Sequence, residues 1–371
     1  MQKSFFTLLF ISLTFFLLKP HPPKTYQAFS LNLLNPHQNS NSDKFRNWGL
    51  FNPRTFSHIQ INEAWETYTG TNKTLVAVID TGVDFSHPDL ADKQWVNPNS
   101  PLNDYGWDFT ANKNNPDDDN GHGTHIAGII AATFNKISKT AGIAPDAKIM
   151  AVKYYEDTNS GEVNLKNTIK AIHYAVEHGA KIINYSGGGS QFNEDEYFEL
   201  KKAEAAGVLV VAAAGNERSN TDNREFAYYP AAYRLSNIIS VAALDINNRL
   251  IRSSNWGKRT VDVAAPGENI LSTLPDGKYG FMTGTSQATA FVTGIAALLL
   301  SENPRLRPED IKAIIENSVS LVPGLEEKIK SGGRVNAFNA LLTSRIYLPQ
   351  QARPIPPRSS SRQISSAILP L

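Results

Sequence analysis

An aspartate, a histidine and a serine each stand in a glycine-flanked segment of this chain. The segments are Val78-Ile79-Asp80-Thr81-Gly82, Asn120-Gly121-His122-Gly123-Thr124-His125 and Gly284-Thr285-Ser286-Gln287-Ala288. These residue types are the parts of an activated nucleophile. A serine hydroxyl is weak alone, an imidazole that takes its proton makes it reactive, and a carboxylate holds the imidazole in the productive tautomer. An ordinary histidine titrates near pH 6.5, so His122 can act as a base around neutrality. Ser286 opens the apolar stretch 288–300. A nucleophile at a helix start has unpaired backbone N–H groups beside it, and these stabilise a developing oxyanion. Asn216 ends the run Val210-Val211-Ala212-Ala213-Ala214-Gly215-Asn216 and offers a side-chain amide in a turn.

Each residue also has a plainer explanation. Asp80 is a common residue after a strand, Ser286 a common helix cap, and Asn216 a residue that tolerates positive φ after Gly215. His125 competes with His122 for any catalytic role. The His-x-x-His pair suggests a metal site, but no Glu has metallopeptidase spacing and no third ligand is evident. Four independent turn or cap residues would not be expected to fall in this order and context.

The elements that must position these residues follow from apolar periodicity. Strand-length apolar runs occur at 75–79, 148–153, 181–185, 208–213 and 238–242. Leu165, Ile169, Ile172 and Val176 recur at helical spacing over 165–178, with Gly179 as the residue that ends the helix. Residues 194–206 have helix-forming composition. Strands without polar alternation, separated by helices, predict an α/β fold with a mainly parallel sheet covered on both faces. Ligands in such folds bind beyond the carboxyl ends of the strands. Asp80 and Asn216 both fall on that edge.

The chain has 371 residues, 41% of them hydrophobic, enough for a substantial core. Its net charge of +1 gives no argument for a nucleic-acid partner. With no cysteine, disulfides, cysteine-ligated zinc and a thiol nucleophile are excluded. Lys3 and the apolar run 5–18 make residues 1–18 similar to a signal peptide, which predicts a secreted or periplasmic protein. Membrane attachment is expected only if that segment stays uncleaved. Residues 19–45 read as a linker or short pro-segment, and 46–343 as the globular domain. The Pro-, Ser- and Arg-rich residues 344–371 cannot bury a core and read as a disordered basic tail. A monomer is expected.

The three segments, in this order, resemble the signature blocks of subtilisin-like serine peptidases, and the resemblance spans about residues 46–343. It implies a three-layer α/β/α fold and an endopeptidase acting on proteins or peptides. Asp80, His122 and Ser286 would be the triad, and Asn216 the oxyanion donor. Two positions depart from the pattern: Gln287 stands where the family usually has Met, and Ala290 where it has Pro. Ser186, Gly187 and Gly188 match the segment that pairs with the substrate backbone. Gly187 replaces a bulky apolar residue, which should widen that side of the cleft. Tyr228 falls near a position often held by Gly at the pocket base, and Glu217 flanks the rim. Asp89 matches a ligand of a structural calcium site, Thr133, Asn135 and Ile137 match its carbonyl and Asn ligands, and the run 117–119 is either a second candidate for a cation or a solvated loop. Two other readings keep the scaffold: a dedicated maturation protease for one partner, and a non-catalytic binding protein.

Overall fold

The computed structural model describes residues 47–100, 104–138 and 140–347, all within the compact unit Asn39–Leu371. The signal-like segment, the 19–45 linker and nearly all of the C-terminal tail lie outside the described residues.

Four helices and seven strands come first in the chain's own order. They are α1 (Ile61–Thr67), β1 (Leu75–Asp80), β2 (Gly106–Asp108), α2 (His122–Ala131), β3 (Lys148–Lys153), α3 (Gly161–Glu177), β4 (Ile182–Tyr185), α4 (Glu194–Ala205), β5 (Leu209–Ala213), β6 (Ile238–Leu244) and β7 (Val263–Pro266), followed after a hairpin by α5 (Thr285–Glu302). The hairpin is β8 (Ile270–Leu274) with β9 (Lys278–Met282). After α5 come α6 (Pro308–Asn317), β10 (Ser320–Leu321), β11 (Gly333–Arg334) and α7 (Ala337–Ile346). The main sheet has nine strands in the order β10-β11-β7-β6-β5-β4-β1-β3-β2. All its pairings are parallel except β10 with β11.

The period of two in the strands divides the core into two faces. Val76, Val78, Leu209 and Val211 pack with α2 and α5 on one side. Ala77, Ile79, Val210 and Ala212 pack with residues of α3 and α4 on the other. This is the three-layer α/β/α arrangement expected from the sequence. The expected strands all form, with ends shifted by at most two residues. Helix α3 starts four residues earlier than its apolar repeat, because Ser160 caps it by accepting from Val163 N at 3.3 Å. The β8–β9 hairpin went unread, although its turn Pro275-Asp276-Gly277 is a strong sequence signal. Asp276 and Gly277 both take positive φ (62° and 68°).

Helix α5 is the central element. Every residue from Thr285 to Ser301 is buried, so no face of it meets water. Phe291 is its largest side chain and is fully buried. Replacing it by Ala leaves a cavity with nothing to fill it, and we expect Phe291→Ala to cost about 3–5 kcal/mol, read as a lower urea midpoint at unchanged slope.

Candidate active site

Each candidate residue sits where a strand ends or a helix begins. Asp80 is the last residue of β1, and its side chain is buried. His122 is the first residue of α2 and remains 29% exposed. Ser286 is the second residue of α5. Ser186 follows β4, and Asn216 lies three residues past β5. Because β1, β4 and β5 are adjacent and parallel, these ends converge on one edge of the sheet.

His122 Nδ1 lies 2.7 Å from Asp80 Oδ1, which also accepts the N–H of Thr81 at 2.8 Å. Burial opposes a charge on His122, but the Asp80 carboxylate outweighs it, with a smaller push from Asp118, and the imidazole titrates above its ordinary 6.5. The approach is close. A Cβ on Gly123 would meet the carbonyl oxygen of Gly82 at 2.0 Å, so only glycine lets α2 begin against β1's exit. His125 is different. It is fully buried, with Nε2 near the carbonyl oxygens of Ile270 (3.0 Å) and Gly280 (3.2 Å). Burial pushes it down to about 4, so it is a neutral packing residue at neutral pH.

The Ser286 hydroxyl donates to the Ser186 carbonyl at 2.8 Å, so in this conformation its proton does not point to His122. Staggered alternatives about one χ1 bond re-aim it, and catalytic hydrogen bonds often tighten only with substrate bound. Asn216 Oδ1 accepts the N–H of Thr285 at 3.0 Å and the Thr285 hydroxyl at 3.3 Å. That fixes the amide at an exposed position. Gln287 and Ala290, the two departures, are both buried, and Gln287 Nε2 has no hydrogen-bond partner.

In the acidic run 117–119 the outer two carboxylates are exposed and the middle one is not. Asp118 is buried and caps the start of α2. Its oxygens accept the N–H groups of Asn120 (3.1 Å), Gly121 (2.9 Å) and Thr124 (2.8 Å), and the hydroxyls of Thr81 (2.8 Å) and Thr124 (2.6 Å). Asp119 pairs with the buried Lys153 at 2.7 Å, and Asp117 accepts from Tyr105 at 2.8 Å. Asp118 was missed in the sequence. The signal was there: a carboxylate four residues before His122, where a helix N-terminus attracts negative charge.

The cleft walls depart from expectation on one side. A Cβ on Gly187 would lie 2.1 Å from the Tyr154 hydroxyl, so Tyr154 takes the room that Gly187 was expected to open. On the other side Tyr228 is wedged between both walls. Its ring lies 2.5 Å from the Cβ position of Gly188 and 2.8 Å from that of Gly215. The next residue, Tyr229, pairs with Gly189 through two backbone hydrogen bonds of 2.9 and 2.7 Å. Glu217 is exposed, with Oε2 held by Asn255 Nδ2 at 2.6 Å.

Asp89, Thr133 and Asn135 do come together, but not as a calcium cage. Asn135 Oδ1 accepts the N–H groups of Ile137 (2.8 Å) and Ser138 (3.2 Å), which turns its NH₂ toward Asp89 at 3.0 Å. The other Asp89 oxygen accepts the Tyr279 hydroxyl at 2.6 Å. Thr133 directs its N–H to the Asp89 carbonyl and its hydroxyl to Asp92. A hard cation needs converging oxygens; here N–H and O–H donors occupy the carboxylate. Among the described residues no group of three or more His, Cys, Asp or Glu is placed to hold a metal. These residues therefore do not fit the ion expected from the sequence. A chelator should leave the melting temperature unchanged, and a rise on adding calcium chloride would show that the loop rebuilds around the ion.

Comparison with known proteins identifies the family. The sequence model of the subtilase family matches residues 71–341. The chain is 40% identical to thermitase of Thermoactinomyces vulgaris over 76% of its length and 93% of that protein's. It is 35% identical to an intracellular serine protease of Paenibacillus polymyxa, covering 81% of this chain and 89% of the other. With subtilisin E of Bacillus subtilis the identity is 39% over 68% and 62% of the two chains. Among solved structures, a cold-adapted subtilisin-like serine proteinase superposes with a TM-score of 0.59 at 29% identity, over 71% of this chain and 86% of that one. The chain belongs to the subtilase family of serine-type peptidases.

Proposed function

We propose that the protein is an endopeptidase that cleaves peptide bonds through an acyl-enzyme on Ser286. The observation that carries this is the 2.7 Å bond between buried Asp80 and His122, at the sheet edge that also presents Ser286 and the Asn216 amide. Ser286 Oγ attacks the substrate carbonyl while His122 Nε2 takes its proton. Asp80 keeps Nδ1–H directed inward. The Asn216 amide and the unpaired N–H groups at the start of α5 receive the oxyanion. His122 then gives its proton to the leaving amine, and water repeats the sequence to release the acid.

An extended substrate would lie along residues 186–188, where glycine backbone suits strand addition. Tyr228 would form the floor of the pocket for the residue before the cleaved bond, and Glu217 would place a negative charge at its rim. We propose export through residues 1–18 and catalysis within residues 46–343, with 19–45 as a linker or short pro-segment. Among the described residues no helix is long and apolar enough to cross a membrane.

A fluorophosphonate probe should label the wild-type protein and not Ser286→Ala; equal labelling of both would sink the nucleophile assignment. The pH profile gives a second test. Only neutral His122 is a base, so kcat/KM should rise with pH through a midpoint above 6.5. In Asp80→Asn the charge that raises the midpoint is gone. The midpoint should fall and the rate drop on the order of 10⁴-fold, a scale taken from subtilisin and trypsin-like enzymes. For the pocket, Tyr228→Gly should shift a peptide-library profile from small toward large aromatic residues before the cleaved bond. A wild-type enzyme that already prefers them would refute the floor.

A further inference from the structure

The turn that carries Asn216 is not self-supporting. Gly215 and Arg218, on either side, both take left-handed φ (97° and 56°), and Asn216 itself is exposed. It is held from one distant loop, where Arg218 N–H reaches the Ser253 carbonyl (2.8 Å), Trp256 N–H reaches the Ser219 carbonyl (3.0 Å), and one side chain makes four further bonds. Asn255 lies between β6 and β7 and is 1% exposed. Its Nδ2 donates to the Ala214 carbonyl at 2.9 Å and to Glu217 Oε2 at 2.6 Å. Its Oδ1 accepts the N–H groups of Glu217 at 3.1 Å and Ser219 at 2.9 Å. Its own backbone N–H donates to the Gly215 carbonyl at 3.0 Å.

The carboxamide is fully used: two donors given, two bonds accepted. These contacts bracket Asn216 on both sides in the sequence. The side chain packs directly under the turn, since a Cβ on Gly215 would fall 2.4 Å from Asn255 Nδ2. No other side chain of this loop reaches the turn's backbone with both ends of its polar group.

We propose that Asn255 is a positioning residue for the reaction: it holds the 214–219 turn so that the Asn216 amide meets the developing oxyanion. The inference rests on the reading of Asn216 as that donor. An oxyanion donor works only if it is already in place when charge develops, because the barrier falls by preorganisation rather than by binding substrate. Loosening the turn therefore costs kcat and leaves KM alone.

The experiment is a double-mutant cycle on a peptide amide substrate, with concentrations set by active-site titration. It compares wild type, Asn216→Ala, Asn255→Ala and the double variant. Loss of the donor in Asn216→Ala should lower kcat by about 10²–10³, the scale measured on a subtilisin. Asn255→Ala should lower kcat by about tenfold or more at unchanged KM, and by less than about twofold once Asn216 is absent. A loss of the same size in both backgrounds, or no loss in either, would overturn the positioning role. An Asn216→Ala enzyme with undiminished kcat would instead overturn the donor reading, and the inference with it. If Asn255→Ala does not fold, Asn255→Ser keeps a small polar group in the space and enters the same cycle, with the same outcomes deciding.

Discussion

Helix α5 has no exposed face from Thr285 to Ser301, and that constraint organises the molecule. Its mainly apolar side chains need cover on every side, and α5 is covered by β4, β5, β6 and β7 on one side and by α2 and the terminal helices on the other. Its first turn must still satisfy backbone N–H groups with no intrahelical partner. One of them goes to Asn216 Oδ1. A buried helix whose start reaches the sheet edge thus delivers both a serine and unpaired donors to the same place. The reactive geometry follows from solving a packing problem and a hydrogen-bonding problem at once.

The loops at that edge are held by the same device used twice. Asp118 gathers the N–H groups of the turn into α2, and Asn255 gathers those of the turn after β5. Both side chains are buried, and both bond mainly to backbone. Burying a carboxylate or amide is unfavourable unless its bonding capacity is filled, so each anchor specifies one loop conformation rather than several. Asp118 and Asp80 differ in the same way from the exposed carboxylates nearby. They face N–H and O–H groups instead of water.

The parts of this structure legible in the sequence are those set by local periodicity and by short motifs. The apolar runs mark the strands because both faces of the sheet are buried, and glycines beside Asp80 and His122 mark the close crossing of α2 and β1. What stayed hidden depends on contacts across long separations. Gly187 reads as open space until Tyr154, 33 positions earlier, is placed against it. Asn255 has no signal beyond its identity, since its partners lie 36 to 41 residues away. The acidic run before His122 reads as a cation loop by composition, and only the fold shows that each carboxylate has its own donor. For Gln287 Nε2, buried without a partner, the structure offers no account.

The Asp89 cluster is an anchor made of hydrogen bonds. Asp89 ties together three segments: its own turn, the loop after α2 through Asn135, and β9 through Tyr279. His87 adds to this, accepting the Asp89 N–H at Nδ1 (3.1 Å), reaching the Lys278 carbonyl with Nε2 (3.2 Å), and meeting the Tyr279 ring edge-on at 5.1 Å. With Nδ1 accepting, Nε2 is the nitrogen that donates to the carbonyl, which fixes the ring's orientation. Burial, with the Asp89 carboxylate adding to it, raises the Tyr279 hydroxyl to about 12 and keeps it a donor near neutral pH. A crosslink made of hydrogen bonds does not depend on ion concentration. It does depend on Asn135 keeping its carbonyl turned into its own loop, because reversing that amide would set two oxygens face to face and strand two backbone N–H groups.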